Sequence, residues 1–488
     1  MLFNSIEFFV FLPIVFFIYW IVLARDLRWQ NVFVVLASYI FYGWWDWRFL
    51  LLIALTTTCS YYSGILLEKQ EGKRIIRRWI CGGNIVLNLA ILCYFKYCNF
   101  FGESLSALLR VVGFQVDWVT LDILLPVGIS FYTFQALSYT IDVYRHKMLP
   151  THDVVAFFAF VSFFPQLVAG PIERATNLLP QFEHKRVFDY DKAVDGMRQI
   201  LWGLFKKVVV ADNCATVANV IWGNYSQESG FRLLLGGLFF TFQIYGDFSG
   251  YSDIAIGTAR LFGINLMRNF NFPYFSRDIA EFWRRWHISL NTWFRDYIYI
   301  PLGGSRCVRW KVMRNTLIIF LVSGFWHGAN WTFVCWGAFH ALLFFPLMLM
   351  GSNRKHTDTV AEGRLLPSLK EAGQMLLTFV LALIGWIIFR ADSITQAVDY
   401  LSIICSPTLF DIGYIQGKKT LLFILILLGA EWLQRDKQHA LQIVNLSTGG
   451  GKNSLLNVTI VRWTIYLFIV LAILVYGAPQ AEFIYFQF

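Results

Sequence analysis

Two histidines stand where side chains could do chemistry. The segment Glu281-Phe-Trp-Arg-Arg-Trp-His-Ile-Ser-Leu-Asn-Thr-Trp-Phe-Arg-Asp-Tyr297 surrounds His287 with cations and aromatic rings. The turn Gly324-Phe-Trp-His-Gly-Ala-Asn330 sets His327 in a glycine-bounded break between apolar runs. A helix from Asn315 to Phe325 rises about 16 Å, roughly half of a ~30 Å hydrocarbon core. With cytoplasmic loops on both flanks, the Gly324–Asn330 turn falls near mid-membrane. Its backbone groups then need partners, so it lines a polar cavity with Trp326, His327 and Asn330. A neutral imidazole titrating near physiological pH can take a proton from an attacking hydroxyl. A histidine hydrogen-bonded between helices for packing fits the same position, and position alone weighs the two equally.

Written as one helix, Arg284, His287, Asn291 and Arg295 form a single polar stripe. Two guanidiniums beside an imidazole and an amide suit a phosphate-bearing ligand that enters from the cytoplasm. An interfacial amphipathic helix with snorkelling arginines has the same pattern, and on the residues alone it is the stronger reading. His340 reads as a packed core residue. His146, His152, His184, His356 and His439 lie in or near polar loops without a constellation. No Walker loop, dinucleotide fingerprint, H-E-x-x-H or G-x-S-x-G sequence is present. None of the 8 cysteines forms a C-x-x-C pair, so neither a metal site nor a disulfide framework is expected.

The elements that must hold these residues are transmembrane. Charged residues make up 15% of the 488 and hydrophobic ones 57%, whereas soluble domains carry about 25% charge. The deficit runs along the whole chain, which implies an all-α, polytopic membrane protein. The net charge of +10 reflects basic cytoplasmic loops and not a nucleic-acid partner. Spans are expected at Leu2–Leu23, Asn31–Gly43, Phe49–Leu67, Trp79–Tyr97, Leu124–Val143 and Val154–Val168. The last of these ends at the helix-breaking Ala169-Gly-Pro-Ile-Glu-Arg174. Residues 100–120, ending in Asp117 and Asp122, read as a separate external helix at the interface. Gln199–Val210, with Lys206 and Lys207 inside it, is a poor span: either interfacial or a broken helix.

Phe231–Phe262 is long enough for a span plus a turn. Its middle, Gln243-Ile-Tyr-Gly-Asp-Phe-Ser-Gly-Tyr-Ser-Asp253, must face protein or a water-filled cavity, because lipid cannot satisfy it. Basic residues dominate Arg268–Arg314, the strongest cytoplasmic signal. Trp331–Met350, Gly373–Phe389, Leu421–Trp432 and Trp463–Tyr476 complete the spans, and the chain ends on Glu482-Phe-Ile-Tyr-Phe-Gln-Phe488. The whole of 1–488 reads as one membrane domain without internal repeats.

Phe282-Trp-Arg-Arg-Trp-His-Ile-Ser-Leu-Asn-Thr-Trp-Phe-Arg-Asp-Tyr-Ile-Tyr-Ile-Pro-Leu-Gly-Gly304 and Gly324-Phe-Trp-His-Gly-Ala-Asn-Trp331 together resemble the membrane-bound O-acyltransferases. The similarity is to the branch of bacterial alginate O-acetylation membrane proteins and their peptidoglycan O-acetylating relatives, with D-alanyl transfer proteins as more distant cousins. Met1–Ser5, Leu125–Gln135, Phe163–Glu173, Gln243–Asp253 and Phe483–Phe488 carry the same resemblance, so it covers nearly the whole chain.

The resemblance implies about eleven or more transmembrane or re-entrant helices around a central tunnel. It also implies a catalytic role for His327, with His287 beside it, and a donor path past Arg284, Asn291, Arg295, Trp326 and Asn330. No cofactor would be resident. The co-substrate would be acetyl-CoA or an acyl carrier thioester on the cytoplasmic side of a bacterial inner membrane. The acyl group would pass to a periplasmic SGNH-type acetyltransferase or directly to an exopolysaccharide, with alginate favoured. A transporter or flippase, or a non-catalytic scaffold of a cell-envelope modification complex, are the alternatives.

Overall fold

The computed structural model describes residues 1–488 apart from 115–117, 169, 444–457, 480, 482 and 485–488. Asp117, Ala169, Glu482 and the last four residues of Phe483–Phe488 therefore lie outside the described residues. Among the described residues every regular element is helical, the arrangement that satisfies backbone groups inside a bilayer without sheet edges. The chain forms two compact units.

The first unit is Met1–Asp189 with Ala259–Leu266. It holds α1 (Ile6–Phe17, continued by a π-helical turn to Val22), α2 (Leu27–Gly43), α3 (Arg48–Lys69), α4 (Arg74–Val111), α5 (Ile129–Tyr144), α6 (Val154–Ser162), α7 (Phe164–Leu167) and α8 (Ala175–Glu183). α5 is its centre, buried along almost its whole length. Gly128 starts α5 at φ 72°, and a Cβ there would lie 2.4 Å from the Leu167 carbonyl oxygen. Only glycine permits both the left-handed turn and the close approach.

α4 corrects the expectation of a span followed by a separate interfacial helix. It is one helix of 38 residues, about 57 Å long. The lower apolarity of residues 100–111 is helical periodicity: Gly102 and Ser106 face inward, while Phe101, Leu105 and Leu108 stay exposed.

The second unit is Tyr190–Thr258 with Met267–Phe488. Its helices are α9 (Tyr190–Leu204), α10 (Asp212–Gly223), α11 (Gly230–Leu261, whose last residues belong to the first unit), α12 (Ile279–Arg285), α13 (Ile288–Phe294), α14 (Arg309–His327), α15 (Trp331–Leu349), α16 (Leu369–Arg390), α17 (Ile394–Ile404), α18 (Lys418–Leu433) and α19 (Thr459–Tyr476). α3, α4, α15, α16 and α19 are each long and apolar enough to cross a membrane. Large apolar side chains such as Leu51, Trp79, Ile460 and Leu474 remain exposed on these helices, as lipid-facing residues do. The protein is thus a multi-pass membrane protein.

The segment that read as interfacial or broken is a broken helix. α9 passes through a π-helical turn, Phe205–Ala211, into α10. Lys206 and Lys207 in this turn are both buried. Lys206 pairs with Asp253. Lys207 Nζ lies 2.8 Å from Asp212 and 2.9 Å from Asp247. The polar face of α11 therefore meets protein, as its composition required. The same pair holds the end of the chain: Lys207 donates to the Ala481 carbonyl, and the Ile484 N–H donates to Asp247.

Lys207→Met leaves two buried carboxylates without their cation, a change that costs about 3–5 kcal/mol. The expected outcome is a marked fall in the thermal midpoint of the detergent-solubilised protein. Adding Asp212→Asn and Asp247→Asn recovers most of it, because the charges then disappear together.

Candidate active site

The break between α12 and α13 is where the sequence leads the chain away from a simple helix. Asp278 caps α12 by accepting from the Glu281 N–H at 2.7 Å. Buried Glu281 then bridges two arginines, Arg277 at 3.1 Å and Arg285 at 2.7 Å. Arg277 also reaches Asp358 at 3.0 Å, and this hydrogen bond holds the Asp358 carboxyl below the usual carboxylate range. With α12 anchored in this way, Trp286 turns extended and His287 adopts the left-handed region at φ 44°, ψ 53°. That conformation is unfavourable for a residue with a Cβ.

Neighbours hold the break in place. Asn291 donates to the carbonyls of Trp283 and Trp286. Ile288 N–H donates to the Asn269 carbonyl, and Asn271 N–H to that of Arg285, each at 2.9 Å. The predicted polar stripe is consequently not formed. Its register assumed one uninterrupted helix, and the interruption falls at its second member.

Arg284 is exposed and donates to the carbonyls of Asn353 and His356, both at 2.7 Å. Arg295 is exposed and pairs with Asp296 at 2.8 Å. His287 instead turns inward and is buried. Its Nδ1 lies 3.0 Å from Asn269 Oδ1, and Phe248 meets the ring edge-on at 4.6 Å. Burial disfavours the charged form of the imidazole.

His327 arrives on the other side. α14 starts at Arg309 and runs 19 residues to His327 itself, about 28 Å. It is longer than the half-span counted from Asn315 to Phe325, because the basic residues at its start are also helical. α14 and α15 approach backbone to backbone. A Cβ on Gly324 would lie 2.1 Å from the Phe333 carbonyl oxygen, and one on Gly337 2.2 Å from that of Phe320.

Asn330 caps α15 by accepting from Thr332 N–H at 3.0 Å, and it donates to the Asp392 carbonyl at 3.0 Å. The His327 ring is buried against Trp326 (5.0 Å), Trp336 (5.2 Å) and Phe389 (5.3 Å). Trp326 also lies 6.0 Å from the His287 ring. His340 is a buried core histidine whose Nδ1 accepts from Trp283 Nε1 at 3.4 Å.

The structure thus gathers His327, His287 and Trp326, whereas Arg284, Asn291, Arg295 and Asn330 hold local backbone or charge. Sequence reasoning missed Asn269 and Ser289, which contact His287, and Phe248, which walls it. Phe248 lay within a stretch singled out as buried and polar; Asn269 carried no signal.

Two imidazoles about one indole, in a helical membrane protein, fit proton transfer at a hydroxyl. The family described as membrane-bound O-acyltransferase matches residues 149–381, which include both histidines, and the chain belongs to that family. It is therefore an O-acyltransferase.

Among its relatives is the probable alginate O-acetylase AlgI of Pseudomonas aeruginosa, 43% identical over 81% of this chain and 73% of that protein. The peptidoglycan O-acetyltransferase of Helicobacter pylori is 33% identical over 82% of this chain and 79% of its own. The teichoic acid D-alanyltransferase of Streptococcus thermophilus is 32% identical over 44% and 55%, respectively.

Gly337→Ala forces α14 and α15 apart next to His327, at a typical overpacking cost of about 1–3 kcal/mol. A lower thermal midpoint together with reduced acyl transfer is expected. Gly82→Ala in α4, with nothing within 4 Å of the added methyl, serves as the control and changes neither.

Proposed function

We propose that this enzyme carries an acetyl group from a thioester donor on the cytoplasmic side of a bacterial inner membrane to a hydroxyl acceptor on the periplasmic side. The reaction serves exopolysaccharide O-acetylation, with alginate as the favoured polymer. The observation that carries the reading is the enclosure of His327 in an aromatic wall that His287 shares through Trp326. The O-acetylase and O-acetyltransferase relatives support the acyl chemistry.

In this reading His327 removes the proton from the acceptor hydroxyl. The oxygen attacks the thioester carbonyl carbon, the carbon–sulfur bond breaks, and the proton ends on the departing thiol. The aromatic walls exclude water and so protect the thioester from hydrolysis. Acetyl-CoA or an acyl carrier thioester is the co-substrate, and exposed Arg284 and Arg295 suit its phosphates. A periplasmic SGNH-type acetyltransferase is the proposed recipient.

General-base assistance contributes about 10²–10⁴ in rate. Purified His327→Ala protein, given radiolabelled acetyl-CoA or acetyl carrier protein with acceptor, should lose transfer by that factor while remaining folded. Wild-type transfer by the variant would refute the role.

A further inference from the structure

We propose that Asn269 is a positioning residue that locks His287 as its Nδ1–H tautomer, leaving Nε2 as the basic nitrogen that the acyl-transfer site uses. The inference rests on the reading of this site as the place of acyl transfer. It adds which nitrogen of His287 serves and which residue decides it.

Hydrogen-bond bookkeeping carries the assignment. Side-chain amide oxygen and nitrogen are told apart by their partners. The Ser289 backbone N–H, which can only donate, points at the Asn269 side-chain atom that also faces His287, at 3.3 Å. That atom must therefore be the oxygen. Ser289 Oγ donates to the same oxygen at 2.8 Å. The other end of the amide, Nδ2, donates to Ser252 Oγ on α11 at 3.1 Å; that hydroxyl can donate as well as accept, so the donor-only Ser289 N–H is what fixes the orientation. His287 Nδ1 lies 3.0 Å from the fixed oxygen and 3.4 Å from Ser289 Oγ, whose proton is already directed at that oxygen, so Nδ1 brings the proton, since two acceptors would repel. In a neutral imidazole the lone pair then belongs to Nε2.

The backbone is organised around the same residue. The Asn269 carbonyl accepts from Ile288 N–H, so one asparagine fixes both the left-handed turn at His287 and the orientation of its ring. A histidine serving only to fill space needs neither a strained backbone nor a chosen tautomer.

The charged and titratable neighbours leave this bond in control. On α11, Asp247 and Asp253 flank Phe248 and Ser252 but are held by Lys207 and Lys206. Tyr245 of the same helix donates to Glu431. Arg285 of α12 pairs with Glu281, and His327 of α14 packs on Trp326 at 5.0 Å.

The test uses the full-length protein in lipid, with 15N-histidine labelling and the His287→Gln variant to assign the signal. Solid-state NMR of the wild type should show His287 protonated at Nδ1 and bare at Nε2. An Nε2–H form would overturn the proposal. Asn269→Leu should abolish the preference and lower kcat by about tenfold or more, less than loss of the general base His327, with KM little changed. Asn269→Asp keeps the acceptor oxygen, so it should preserve the tautomer and much of the rate. Its carboxylate favours the imidazolium, so the acid limb of the pH–rate profile should move to higher pH.

Equal loss of kcat in Asn269→Asp and Asn269→Leu, with an unmoved limb, would mean that Asn269 is structural only. Full activity of His327→Ala would instead sink the acyl-transfer reading and leave the tautomer result standing by itself.

Discussion

A backbone that breaks inside a membrane protein must find every hydrogen-bond partner within the protein. The break at Trp286–His287 is where this requirement shapes the candidate active site. Asn291 satisfies the two carbonyls on one side, and Asn269 satisfies the Ile288 N–H on the other. These bonds serve the backbone first, and as a result they aim an imidazole inward toward Trp326. The positive φ of His287 is tolerated because the surrounding bonds over-determine it.

A second internal satisfaction problem builds the wall behind this histidine. The polar middle of α11 would be costly against lipid, so it is matched by Lys206 and Lys207 from a π-helical turn. Such turns occur often at functional positions. The last described residues of the chain join this network through Lys207 and Asp247. Phe483 rests on Tyr251 at 4.4 Å and near Phe248 at 6.1 Å. Phe248 in turn packs on His287. Phe483 is thus continuous with the packing around His287.

The division of labour between the two histidines follows from their surroundings. His327 ends a helix and packs among the rings of Trp326, Trp336 and Phe389, which hold its plane. His287 is held by a polar lock and is fixed in both orientation and tautomer. Rigid placement of this kind lets a reacting group act without reorganisation at the moment of transfer. The arginines that looked like part of the same stripe stay at the surface, where their charge remains hydrated.

The residue types alone determined the class of protein. A low charge content spread along the chain requires many apolar helices, and a polar run inside such a helix requires buried partners. Both are local consequences of the bilayer and were legible at α11, α15, α16 and α19. His327 was legible because glycines on either side of an apolar break mark a close helix approach. The tertiary structure alone decided what surrounds each histidine. Asn269 is 18 residues from His287, and Phe248 and Ser252 are farther still. Trp326 meets the His287 ring only through tertiary packing, with α14 and α12 both set against α15. The helical stripe failed for the same reason: periodicity describes an unbroken helix, whereas hydrogen bonds from distant residues stabilise the break. Sequence spacing measures position along one element, and an active site at a chain break is built from contacts between several.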